Sequence, residues 1–197
     1  MSTRRQRLQS AIWRYRRMWA VGVFLAVLLA LFQLSGLRDH VSLAFLQHQL
    51  AAHQGSGLLL FVLLFALGNL IQIPGWLFLA AAVLTLGAGW GGVVTYIAAS
   101  ISCVLTFIVI RAIGGDALRA VPHPLAVRLL AKLDQHPLRS VFWLRVFFQT
   151  VPALNYTLAL SGISFWQYAL ATLLGLPLPI ALYCLFFDRI AQYLHLA

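Results

Sequence analysis

GNLIQIPGW (residues 68–76) decides the fold, because it sets Asn69, Gln72, Pro74 and Gly75 in the middle of an otherwise almost wholly apolar run from Gly57 to Arg111, 55 residues long. A helix crosses a bilayer with about 20 residues, so this run is too long for one crossing and awkward for two. Proline removes a backbone donor, and it disfavours helix at the residue before it. Inside a bilayer such a break is tolerated only where protein or a water-filled cavity satisfies the freed backbone groups. The stretch therefore reads as the tip of a re-entrant hairpin over residues 58–86, bent at Pro74-Gly75. The glycine turn LGAGWGG (86–92) follows it, and then a full span over 93–111.

Composition around this stretch supports a membrane solvent. Apolar types make up 62% of the 197 residues and charged types 9%, against about 45–50% and 25% in soluble domains. Between Asp39 and Arg111 no Asp, Glu, Lys or Arg occurs for 71 residues, and between Arg145 and Asp188 none for 42. What remains could not dress a water-soluble surface; this is an integral membrane protein. Four scattered aspartates and no glutamate exclude a carboxylate metal cage or a paired acid/base site. Cys103 and Cys184 stand inside apolar runs without a CxxC and read as packing residues. No metal or cofactor is expected. The net charge of +10 flanks apolar spans, so it speaks for anionic headgroups and orientation, not for nucleic acid. No His–Ser, paired-Asp or HExxH arrangement stands within a span, so an enzyme is not expected.

Upstream, residues 1–17 carry six arginines and no acid, and residues 18–37 give 20 uncharged residues, the first transmembrane helix. The run is too long for a signal-peptide core and lacks an A-x-A cleavage pattern. Residues 39–54, with Asp39 as a plausible cap, read as an interfacial helix. Its His40, His48 and His53 are spaced eight and five apart and so share no helix face. Downstream, residues 112–139 are a polar, cytoplasmic segment. Within it Pro124 to about Gln135 forms a headgroup-level helix, with Leu125, Leu129 and Leu133 on one side and Arg128 and Lys132 on its flank. A second broken block then repeats the plan: a hairpin over 140–162 with Gln149 and Pro152 at its break, a turn at Gly162, and a span over 165–187.

Charge asymmetry fixes the count of crossings. Lys plus Arg number six in 1–17, one in 18–110, six in 111–145 and one in 146–197. The positive-inside rule wants both basic groups in the cytoplasm. Only two crossings can then precede Arg111, which holds if 58–86 leaves by the side it entered. The expected fold is all-α and integral to the membrane: about three full transmembrane helices plus two opposed re-entrant helical hairpins in an inverted-repeat arrangement. The amino terminus and Gly114–Arg139 face the cytoplasm, and Leu196-Ala197 faces outward.

PGWLFLAAAVLTLGAGWGG (74–92), FIVIRAIGG (107–115) and SGISFWQYALATLLGLPLPIALY (161–183) resemble the DedA superfamily, the VTT-domain or SNARE-associated Golgi protein group. The resemblance covers residues 58–188. Its most specific pieces are Phe107-x-x-x-Arg111-x-x-Gly114, Arg145…Pro152-x-x-Asn155-Tyr156 and Thr172-x-x-Gly175-x-Pro177. It implies two opposed re-entrant hairpins and a function in lipid movement, of phospholipids or undecaprenyl phosphate, in what would be a bacterial inner membrane. Proton-coupled members carry acids around the first Pro-Gly. Here those neighbourhoods read Gly68-Asn69 and Trp76, so the chain is similar to the acid-poor branch.

The candidate transport-path residues are Arg145, Asn155, Arg111, Gln72, Gln149 and Asn69, and Pro74, Gly75 and Pro152 shape the bends. A cation at membrane depth costs at least ~2.5–3.5 kcal/mol on insertion scales, so Arg145 either grips a lipid phosphate or snorkels to the interface. Arg111 is an interfacial anchor, a phosphate contact or a hairpin brace. The amides either satisfy broken backbone or line a headgroup path. Two functions follow: a flippase- or scramblase-like lipid transporter with membrane lipids as its partners, or a non-transporting factor that supports other membrane proteins. A wet cavity reaching both hairpins would favour the first, and a dry core the second.

Overall fold

The computed structural model describes residues 2–34, 43–52, 54–71, 73–149 and 151–193. Expectations for Asp39, His40, His53, Gln72 and Leu196-Ala197 fall outside them. The described chain is helical, without strands: α1 (Ser2–Leu34), α2 (Leu43–Ala52), α3 (Gln54–Leu70), α4 (Gly75–Gly114), a 3-10 turn (Ala117–Ala120), α5 (Pro124–Gln135), α6 (Pro137–Phe148), α7 (Pro152–Leu160), α8 (Phe165–Gly175) and α9 (Pro177–Tyr193). Among the described residues two stretches are long and apolar enough to cross a membrane, Gly75–Gly114 with mean hydropathy 2.4 and Phe165–Ile190 with 2.1. The second is interrupted just before Pro177, where the missing N–H ends α8 and starts α9.

α4 is not one rod. Gly87 has φ 78° and ψ 167°, a region that side chains other than glycine's rarely enter. The turn it allows folds the arm 75–86 back against the arm 88–114. A Cβ placed on Gly91 would lie 2.6 Å from the Ala82 carbonyl oxygen, an approach impossible along a straight helix. At 1.5 Å per residue the first arm is about 18 Å long and the second about 40 Å. The first arm also packs on α3, where Phe65 and Phe78 rings lie 4.7 Å apart, and the ends Leu58 and Leu86 line one cavity. Residues 54–86 thus run out and come back.

The second block has the same layout. α6 runs out to Phe148 and α7 returns from Pro152, so that Pro137 and Gly162 line one small cavity. The two units open toward opposite ends of the arm 88–114. Leu58 and Leu86 meet Trp90 and Val94 at its start. At its other end the Arg111 guanidinium reaches the Ile163 carbonyl at 2.8 Å, and Leu160 lies against Gly114. Arg17 is 3.8 Å from Asp116, so the basic start of α1 and the polar segment after α4 share that end.

The bundle has an apolar interior, as a soluble protein does, but its exterior is apolar as well. The hidden face of the long arm carries Thr95, Ala98, Ala99, Ser102 and Thr106, while Val93, Ile97, Ile101, Leu105 and Ile108 face out at spacings of three and four. Leu59, Leu63 and Leu67 form a like stripe on α3. Small and weakly polar residues inside and branched aliphatics outside are what lipid-solvated helices require, because apolar contact with lipid costs nothing and helices associate through close packing. α5 spans Pro124–Gln135, but it buries Leu130 and Leu133 and leaves Leu125 68% exposed. Its inner face is turned toward the 3-10 turn and α6, about one residue from the face that Leu125, Leu129 and Leu133 define.

Candidate functional site

The two breaks meet. α3 stops at Leu70 because Ile71 and Ile73 turn their N–H groups back to the Gly68 carbonyl, at 3.2 and 2.7 Å, and Pro74 has none to offer. The carbonyls of Asn69 and Leu70 then lack helical partners. The Tyr156 hydroxyl from the second unit lies 3.1 Å from the first and 2.6 Å from the second, a shared donor for both. Beside it the Asn155 amide donates to Asn69 Oδ1 at 2.9 Å, and Asn69 Nδ2 donates to Thr106 Oγ1 at 3.4 Å. Satisfying broken backbone is one of the two roles open to these amides, but Tyr156 fills it, and Asn69 and Asn155 bond to each other and to Thr106.

Arg145 continues the network inward. Its Nη2 donates to the Tyr168 hydroxyl at 2.6 Å and its Nε to Thr172 Oγ1 at 3.2 Å. The Tyr168 hydroxyl in turn lies 3.0 Å from the Cys103 carbonyl and 3.4 Å from Asn155 Oδ1. A line of polar groups therefore runs from Arg145 on α6 through Tyr168 on α8 to Asn155 on α7 and Asn69 at the end of α3. Gly175 makes room for it: a Cβ there would meet the Arg145 Cβ at 2.8 Å and the Phe142 carbonyl oxygen at 3.0 Å. Phe107 stacks on Tyr168 with ring centroids 4.2 Å apart and walls the cluster off.

Burial sets the electrostatics. Arg145 is 0% exposed, and Asn69, the most open side chain of the network, is 8% exposed. Among the described residues no carboxylate reaches Arg145, and its Nη1 has no hydrogen-bond partner. A buried cation compensated by two hydroxyls and by the Tyr168 ring, whose centroid is 5.2 Å from its Cζ, is an incompletely satisfied group, and in a medium of low dielectric it attracts an anion strongly. The guanidinium presents a planar fork that fits phosphate oxygens.

The structure joins three of the sequence candidates, Arg145, Asn155 and Asn69. Arg111 stands apart: its Cζ lies 4.9 Å from the Phe107 ring centroid and it ties α4 to the loop before α8, the brace among its expected roles. Gln149 is half-buried at the second break with Oε1 unpaired. Pro74 precedes α4, Gly75 opens it and Pro152 opens α7, so all three stand at the bends. The sequence reading missed Tyr156, Tyr168, Thr172 and Thr106 as members of the site. A signal was present, since Tyr168 and Thr172 are an i, i+4 polar pair on one face of an apolar stretch with Gly175 next on that face. Two cavities of about 570 Å³ lie away from the cluster, one between α5 and α6 and one between α4 and α9.

The family described as VTT domain matches residues 73–189, more than half of the chain. The match includes Arg145, Asn155, Tyr156, Tyr168 and Thr172 and starts after Asn69. Comparison with curated proteins and with solved structures finds no match.

Proposed function

The chain belongs to the VTT-domain family, the membrane domain of DedA and SNARE-associated Golgi proteins, and from that premise we propose that it moves a lipid bearing a phosphate headgroup between leaflets. The observation that carries this reading is Arg145, a fully buried cation with an unpaired Nη1 where two broken helical units meet. In this reading 58–86 and 140–162 are re-entrant hairpins, entering from opposite faces and touching tip to tip. Their opposite openings along the arm 88–114 support that arrangement, as does the short 75–86 arm, too brief at about 18 Å to cross a 30 Å hydrocarbon core. The Arg17–Asp116 contact supports a common side for both basic segments, the cytoplasmic one by the positive-inside rule. A phosphate arriving between the hairpins takes the place of Tyr168 and Thr172 on the guanidinium, while the acyl or prenyl chains stay in lipid.

The test is reconstitution into liposomes with a headgroup-reporter phospholipid, and in a parallel arm a polyprenyl phosphate. Arg145→Ala is expected to insert and to lose most of the transport, and Arg145→Lys, which keeps charge without the fork, to lose part of it. Wild-type rates in Arg145→Ala liposomes would overturn the proposal.

A second reading has its own support. The cluster is closed, with no member more than 8% exposed, and a dry junction suits a non-transporting factor that holds other membrane proteins. The same liposomes separate the two: a protein-free leak rate with well-inserted wild type favours the second.

A further inference from the structure

α5 and α6 are joined by a single residue, His136, and diverge from it as a V. Pro137 starts the second arm, and the Ser140 hydroxyl donates to the Lys132 carbonyl at 3.1 Å, which fixes the angle. The inside of the V is a cavity of about 570 Å³, a size usual for small-ligand sites. Its chemistry is divided. Lys132, His136 and Arg139 line the closed end, and Leu144, Trp143, Phe147 and Phe148 line the other. Trp143 is 46% exposed, Phe147 71% and Phe148 51%, and Trp143 and Phe147 stack with centroids 5.7 Å apart.

No acid lines this cavity. The nearby carboxylate, Asp134, is held elsewhere by a two-pronged contact with Arg119, one bond of which is 3.1 Å. Among the described residues neither Lys132 nor Arg139 has an acidic partner. A free phosphate would suit the basic end and leave the aromatic wall bare, and a plain hydrocarbon would do the reverse. An amphiphile with an anionic head and an apolar tail satisfies both. We propose that this groove holds one anionic phospholipid, its phosphate against Lys132 and Arg139 and an acyl chain along Trp143 and Phe147.

The groove is not the Arg145 cluster. Along α6, Arg139, Trp143 and Phe147 repeat at four-residue intervals on one face, while Val141 and Arg145 are buried on roughly the opposite one. The seated lipid therefore does not depend on lipid movement, and it would wedge the V from outside whatever the function.

The experiment keeps Trp143 as the single tryptophan by replacing Trp13, Trp19, Trp76, Trp90 and Trp166 with Phe, and follows its quenching in bilayers. The bilayers are phosphatidylcholine doped with brominated phosphatidylglycerol or with brominated phosphatidylcholine. Quenching is expected to reach half its limit at a lower mole fraction of the anionic lipid, by about fivefold for each of the two permanent cations. Lys132→Gln with Arg139→Gln should abolish the difference. Equal quenching by both lipids overturns the proposal. Absence of quenching by either also does so, and would mean that a second copy of the chain covers the groove. Because five replacements could disturb folding, native mass spectrometry of the otherwise wild-type chain is run beside it. A phosphatidylglycerol adduct lost in the Lys132→Gln, Arg139→Gln variant supports the site, and an adduct unchanged by those substitutions overturns it.

Discussion

Arg145 is the residue at which sequence and structure carry most of the argument together. The sequence marks it because a cation stands between VFWL and VFF, and the residue type alone is enough to question its place. Its environment was not legible, since the partners come from α8, more than twenty residues away, and hydroxyls in an apolar helix carry little signal of their own. The snorkelling alternative is not what the structure shows, for the side chain is fully enclosed. Two substitutions separate its structural and functional parts. Tyr168→Phe leaves Arg145 Nη2 and the Cys103 carbonyl short of a partner and should destabilise the fold by roughly 1–3 kcal/mol in detergent unfolding. Arg145→Met removes the buried charge instead and fills similar volume. Its stability should stay within about 1 kcal/mol of wild type or rise, while liposome transport falls to background.

Among the helices, the breaks were readable and the angles were not. Proline and glycine announce interruptions at 74–75 and 152, and LGAGWGG announces a turn. Which of its four glycines does the turning follows from a backbone angle that composition does not encode. Gly87→Ala places a Cβ at φ 78° and should destabilise by more than about 1 kcal/mol, and Gly89→Ala, where a Cβ meets nothing within 4 Å, should change little. Thermal unfolding of the two variants side by side checks this. The link between the 3-10 turn and α5 gives a pH signature. Arg119 hydrogen-bonds Asp134 and lowers its pKa below the ordinary 3.8. A lowered folded value means that the contact stabilises above the unfolded value and is lost as pH falls through the folded one. The melting difference between wild type and Asp134→Asn should therefore be flat from pH 7 to about 4, shrink below it, and weaken with salt, as expected for an exposed pair.

For the molecule as a whole, charge counting and hydropathy reach the solvent, whereas of the three full spans the sequence predicts, two stretches among the described residues are long and apolar enough to cross a membrane. The way the two units are stitched depends on Asn69 and Asn155, which the sequence marks one by one, and on Tyr156; that they pair across 86 residues is not written in either stretch. Sidedness is open to direct measurement. With Cys103 and Cys184 replaced, single cysteines at Ser2 and Arg128 should both react with an impermeant thiol reagent only after the cytoplasmic face is opened. Labelling of the Arg128 position from outside intact cells would contradict the shared side. The stitching also has a consequence in time. The hydroxyl that caps Leu70 belongs to Tyr156, 86 residues later in the chain. At about 5–20 residues per second of synthesis, the first unit waits roughly 4–17 s with two carbonyls short of their final partner, inside the bilayer if 58–86 is the re-entrant hairpin proposed above. During that interval the nascent chain resembles a damaged protein, and the expected outcome is that chains truncated before Tyr156 are degraded faster than full-length ones in a pulse-chase experiment.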